Sequence, residues 1–129
     1  MKINSYAKIN LGLHVLDKRV DGFHNITTIF QEIDFYDQLT IEKSKTMIFD
    51  TNATWLDATN NTCISAIEIL KQHHPDLPNF KIFLQKNIPT NAGLGGGSSN
   101  GTAILKGINQ LCSLNIQEKE MKKLAEKIS

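Results

Sequence analysis

The chain has 129 residues, 14 of them basic and 13 acidic, for a net charge of +1. That length suffices for one domain with a modest core, and so even a charge balance argues against nucleic acid or an anionic membrane surface as a partner. No apolar run approaches the roughly 18 residues of a membrane span, and Lys2 and Lys8 bracket too short an apolar stretch for a signal-peptide core.

Residues 2–16 open with strand character: Ile9, Leu11, Leu13 and Val15 alternate with Lys8, Asn10, Gly12 and His14, which predicts the odd positions facing a core. Lys8 and Asn10 then share the opposite face, where a lysine is ordinarily a solvated edge charge. Residues 17–24 read as a loop, with the turn signal Asp21-Gly22 and with Phe23 and His24 at its exit. Further strands are expected over 26–34 and 38–50. Residues 51–61, rich in Thr, Asn and Asp, form a loop that offers Asn60, Asn61 and Thr62 as N-caps for a helix carrying Ile64, Ile67 and Leu70. Pro75 and Pro78 end it. Cys63 and Cys112 fall on apolar helical faces and read as reduced core thiols of a cytoplasmic protein, with a disulfide as the unsupported alternative. His73-His74 lacks zinc-site spacing, and no residue is assigned to a metal.

A strand over 80–86 leads into Ile88-Pro89-Thr90-Asn91-Ala92-Gly93-Leu94-Gly95-Gly96-Gly97-Ser98-Ser99-Asn100, with four glycines within five residues. A helix from about 98 to 112 follows, with Ile104, Leu105, Ile108 and Leu111 on one face. Glycines between a strand and a helix N-terminus let the backbone turn sharply and approach a ligand closely, and the unpaired N–H groups there favour a phosphate. Ser98 and Ser99 can cap the helix, donate to phosphate oxygens or help place a metal ion. The plain alternative is a flexible turn that caps a helix. No Gly-Lys-Ser/Thr closes the loop, so it is not a P-loop, and the dinucleotide pattern fails as well. Gly101 and Gly107, each costing about 1 kcal/mol against alanine in a helix interior, predict close packing. Asn115 and Glu118 read as a capping box that opens a last helix with Met121, Leu124 and Ile128 inward. The strand-rich half followed by two helices predicts the front of something larger.

Three stretches together, Tyr6-Ala7-Lys8-Ile9-Asn10-Leu11, Arg19-Val20-Asp21-Gly22-Phe23-His24 and the glycine-rich segment, resemble the GHMP kinase superfamily. The first two narrow the likeness to its branch acting on a cytidine-diphosphate-linked methylerythritol in non-mevalonate isoprenoid synthesis. The resemblance implies an α/β fold with a mixed sheet, residues 1–129 being the N-terminal ATP-binding domain, and phosphorylation of the substrate's 2-hydroxyl with ATP and Mg2+. It implies Lys8 as the catalytic lysine, with Asn10 positioning the methylerythritol end. Phe23 and His24 match the cytosine-binding pair, although the family commonly has tyrosine where Phe23 stands. Lys86 and, more weakly, Asn61 match adenine contacts, and Pro89, Thr90, Asn91, Ala92, Gly93, Leu94, Gly95, Gly96, Gly97, Ser98 and Ser99 match the nucleotide loop. The family's aspartate lies in a Gly-x-Asp segment that would follow Ser129; Glu118, Glu120 and Glu126 belong to the helix and do not replace it. The chain by itself is therefore expected to be catalytically silent. Two rival readings are another GHMP kinase, acting on mevalonate or homoserine, and a non-catalytic nucleotide-binding module. Phe23-His24 argues against the first, since those substrates have no base to stack.

Overall fold

A computed structural model describes residues 1–18 and 24–128. Its elements run β1 (Lys2–Lys18), β2 (His24–Ser44), β3 (Ile48–Thr51), α1 (Thr62–His73), β4 (Asn79–Gln85), α2 (Gly96–Leu111) and α3 (Glu118–Glu126). The sheet order is β1-β2-β4-β3. β1 and β4 pair antiparallel with β2, and β3 runs parallel to β4. This is the mixed α/β arrangement the sequence predicts.

Two strands expected over 26–34 and 38–50 are differently divided. The first is continuous with most of the second in the single strand β2, and only Ile48–Thr51 stands apart as β3. The expected alternation in β1 also breaks: Ala7 is fully buried, whereas Leu11 is 59% exposed. The cause is register shifts between Tyr6 and Lys8 and between Asn10 and Gly12. Each irregularity changes which side chains face the core, so no single period-two pattern spans the strand.

The core fills one face of the sheet. Leu39 and Ile41 of β2 and Phe80, Ile82 and Leu84 of β4 pack under Ala66, Ile67 and Leu70 of α1 and Ile104, Leu105 and Ile108 of α2, with Met121 and Leu124 of α3 closing the layer. β4 keeps a clean alternation of buried and more exposed residues, as expected of a strand with helices on one side only. The close packing predicted at the α2 glycines is present: a Cβ on Gly107 would meet Ile41 Cδ1 at 2.7 Å, and one on Gly101 would meet Ile128 Cγ2 at 2.9 Å. Cys63 and Cys112 are both free thiols. The capping box expected at Asn115 does not form. Gln117 is the N-cap of α3, and Asn115 instead takes a positive φ of 58° and accepts from the Gln117 amide at 3.2 Å.

Candidate active site

β4 ends at Gln85 and α2 begins at Gly96, so the glycine-rich segment supplies most of the connection between them, and its last part, from Gly96 to Asn100, forms the first turn of the helix. Gly95 caps α2 with φ 67° and ψ 21°, a left-handed conformation that suits glycine. The helix therefore begins two residues before the expected position, and neither Ser98 nor Ser99 is its cap. The Ser99 N–H bonds the Gly95 carbonyl at 2.9 Å. The N–H groups of Gly96, Gly97 and Ser98 before it have no partner within the helix, and they lie at its positive end. Close approach matters at Gly96, where a Cβ would stand 2.9 Å from Ile88 Cγ2 and 3.0 Å from Lys86 Nζ.

This turn borders a cavity of about 390 Å³. Pro89 through Ser98 form one wall, Leu56 and Asn60–Cys63 another, and Leu84, Lys86 and Asn100 also line it. Asn61 belongs to that second wall and also caps α1, its Oδ1 accepting from the Ile64 N–H at 3.1 Å while its amide donates to the Asp57 carbonyl at 2.8 Å. Thr62 Oγ1 donates to the Gly97 carbonyl at 2.6 Å, tying the start of α1 to the start of α2. Asp57 accepts both the backbone N–H and the hydroxyl of Thr59, which together hold its carboxyl below the ordinary value.

Beneath the turn lies a polar network that sequence reasoning missed. Asp37 is fully buried. It accepts from Lys86 Nζ at 2.6 Å and Asn100 Nδ2 at 2.9 Å, and from the backbone N–H groups of Asn87 and Ile88 at 2.6 and 2.8 Å. Asn100 also accepts from Lys86 Nζ at 3.1 Å and donates to Ser5 Oγ at 2.8 Å, and Ser5 donates on to Ser99 Oγ at 2.9 Å. One carboxylate thus neutralises the buried lysine and fixes the point where β4 leaves the sheet for the glycine turn. Lys86, matched above to an adenine contact, borders the cavity, but its ammonium is engaged in this network with only 5% of the side chain exposed. Beside it, burial pushes the Cys63 thiol up to about 12; the Lys86 charge opposes the shift and Asp37 adds to it. Asp37 was detectable in principle, because extending the Leu39, Ile41 alternation backward puts a carboxylate at an inward position.

Lys8 comes to the same turn from the opposite side. Its backbone N–H bonds the Leu94 carbonyl at 2.9 Å, stitching β1 onto the glycine segment. Its exposed side chain borders a second hollow of about 280 Å³, with Glu32, Ser99, Thr102 and Lys106. Glu32 is its cross-strand neighbour, and Asn10 lies opposite Phe30. The first turn of α2 separates the two hollows, with Ser98 on one and Ser99 on the other. His24 opens β2 opposite Lys18, much further along the ribbon. Phe23 lies outside the described residues. Among the described residues no group of three or more His, Cys, Asp or Glu side chains is placed to hold a metal.

A mixed sheet, a strand, a glycine turn with its helix N-terminus on a cavity, and a lysine-bearing strand bonded to that turn define an α/β domain with a glycine-turn site. The chain belongs to the GHMP kinases: the profile of the GHMP kinases N terminal domain matches residues 61–129. It is 40% identical, over 99% of its length, to the 4-diphosphocytidyl-2-C-methyl-D-erythritol kinase of Caldicellulosiruptor bescii, of which it covers 46%, and 38% identical, over 98% of its length, to that of Persephonella marina, again covering 46%. It therefore spans about half the length of these curated relatives. A solved structure of 4-(cytidine 5'-diphospho)-2C-methyl-D-erythritol kinase superposes with a TM-score of 0.84 at 28% identity, covering all of this chain and 46% of that one. A mevalonate kinase structure shares the fold, with a TM-score of 0.75 at 18% identity over 99% of this chain and 46% of that one.

Proposed function

We propose that residues 1–129 are the N-terminal, ATP-binding domain of a kinase that phosphorylates the 2-hydroxyl of 4-diphosphocytidyl-2-C-methyl-D-erythritol in non-mevalonate isoprenoid synthesis in the cytoplasm. The observation that carries this is the bond from the Lys8 N–H to the Leu94 carbonyl, 2.9 Å long, which brings a strand lysine and a phosphate-favouring helix start together. The relatives' names support the substrate, and their greater length supports reading this chain as one domain of a longer enzyme.

In this reading the N–H groups of Gly96, Gly97 and Ser98 hold the nucleotide's phosphates, favoured by the helix dipole. The Lys8 ammonium faces the charge that develops on the attacking hydroxyl and the transferred phosphoryl group, and most of the acceleration comes from positioning and electrostatics. Asn10 orients the methylerythritol end. Phe23 offers a stacking face to cytosine and His24 a hydrogen bond to its edge. Asn61 and Lys86 border the adenine side. Lys86 acts there as a buried charge anchored by Asp37 and not as a free donor. Mg2+ suits this donor set, because it keeps waters and takes phosphate oxygens with few protein ligands, and the Ser98 hydroxyl is the group here that would hold it. When bound, it neutralises phosphate charge.

The deciding experiment is ATP titration of the chain and of Gly96→Val by calorimetry, with a thermal melt on each. Binding to the first and loss in a still-folded Gly96→Val supports the site. Equal affinities would show that the glycine turn does not hold the phosphates.

A further inference from the structure

The wall of the cavity opposite the glycine turn is a loop pinned at both ends. Asn52 pairs with the Lys86 backbone in both directions, accepting its N–H at 2.7 Å and donating to its carbonyl at 3.1 Å. Thr51 Oγ1 donates to the Leu84 carbonyl at 2.7 Å and accepts the Ala53 N–H at 3.2 Å. The Leu56 N–H closes a turn onto the Ala53 carbonyl at 3.1 Å, and Asp57 gathers Thr59 and Asn61 at the far end.

In the middle of this fixed loop stands Trp55, the chain's single tryptophan. It is 65% exposed. Its one polar atom is nevertheless committed: Nε1–H donates to Thr90 Oγ1 at 2.9 Å. Thr90 belongs to the glycine-turn side of the cavity, and Leu56, next to Trp55 in sequence, belongs to the other. The indole hydrogen bond therefore joins the two walls.

An exposed tryptophan with an incidental hydrogen bond is the plain reading. It leaves unexplained why one of the largest apolar rings is kept out of the core on a pinned loop, with its orientation fixed at the edge of the cavity. The cavity's described lining contains no aromatic side chain. A heterocyclic base entering it would meet aliphatic groups such as Leu56, Leu84 and Leu94 together with polar groups, and the only indole face within reach is at the rim.

We propose that Trp55 is a specificity-determining wall of the base subsite: its ring packs along the heterocycle of a bound nucleotide, held in place by Thr90, and favours a nucleotide over a bare phosphate chain. This rests on the nucleotide site proposed above. Stacking of a base on an aromatic side chain is strong enough for its loss to weaken binding about tenfold.

The test titrates the chain with ATP and, separately, with inorganic tripolyphosphate, following calorimetry and the emission of the single tryptophan. ATP is expected to change Trp55 emission, and tripolyphosphate to leave it unaltered. Trp55→Ala should weaken ATP about tenfold without altering tripolyphosphate affinity, and Trp55→Phe should keep most of the ATP affinity. Thr90→Val, which removes the acceptor and spares the ring, should fall between the two. If ATP binds the unmodified chain and Trp55→Ala alike with constant emission, the inference is overturned while the nucleotide site stands. Parallel loss of tripolyphosphate affinity in Trp55→Ala also overturns it, because Trp55 would then be acting on the phosphate turn. Failure of the unmodified chain to bind either ligand removes both readings.

Discussion

Asp37 has no exposed surface and accepts four hydrogen bonds, two of them from backbone N–H groups at the exit of β4. Removing one partner of a buried ion pair strands the other charge, at a cost of about 3–5 kcal/mol. Asp37→Ala should lower unfolding stability by about that much, and pairing it with Lys86→Met should recover a large part, since the stranded charge is then gone. Urea denaturation of the single and double variants checks both. A full-sized loss in the double variant would mean that the backbone bonds at Asn87 and Ile88, not the ammonium, set the cost. Cys63 gives a pH prediction. Its folded value of about 12 lies above the 9.0 of an unperturbed thiol, so the native state keeps its proton where the unfolded state has lost it. That contribution is fully present below pH 9 and declines as pH rises toward 12. At pH 8 a thiol reagent should modify the partly exposed Cys112 in the native chain and reach Cys63 only after denaturation. The glycine turn was legible because its residue types carry local meaning, whereas Lys8 read locally as an edge charge and was singled out only by the family resemblance. For Asp37 the strand alternation hinted at an inward position, but its partners lie 49 to 63 positions away, and only the fold shows what an inward carboxylate would pair with.

At the scale of elements, α2 carries the site on its N-terminus and the core on its side. Its two tight glycines show how propensity and packing compete. Alanine at Gly107 would gain about 1 kcal/mol of helix propensity, but its Cβ would lie 2.7 Å from Ile41 Cδ1, and Ile41 is itself fully buried. Overpacking of this kind typically costs about 1–3 kcal/mol. Gly107→Ala should therefore be neutral to destabilising, whereas Gly97→Ala, with its nearest neighbour at 3.9 Å, should keep the propensity gain. Thermal melts of the two decide it, and a more stable Gly107→Ala would show that Ile41 yields without strain. Helical periodicity made α1, α2 and α3 readable, and the interior glycines correctly forecast close approach. The ends were less readable. Gly95 and not a serine caps α2, and Gln117 and not Asn115 caps α3, because a cap is chosen by the path of the incoming chain and not by side-chain chemistry alone. β2 resisted for another reason: its pairing shifts against β1 alter the facing pattern partway along.

Across the whole molecule, two distant parts of the chain meet at one turn. β1 supplies Lys8, the β4–α2 connection supplies the helix start, and their direct link is between backbone atoms, the Lys8 N–H and the Leu94 carbonyl. A side-chain substitution at Lys8 leaves that link in place, so the two contributions are separable. In a protein of the relatives' full length, Lys8→Ala should leave the turn's geometry unchanged and ATP affinity within about threefold, a change of roughly 0.7 kcal/mol, while lowering kcat by far more than it alters KM. That pattern marks an interaction made chiefly in the transition state. Gly96→Val should do the reverse at the binding step, because its branched side chain would press on Ile88 and on Lys86 Nζ and disturb the helix start proposed to receive phosphate. Measuring ATP affinity and single-turnover rate on both variants tests the division. If Lys8→Ala weakens ATP as much as Gly96→Val does, the lysine belongs to nucleotide binding. If it leaves the rate within a few-fold, Lys8 is an exposed strand charge, balanced by Glu32 across the ribbon.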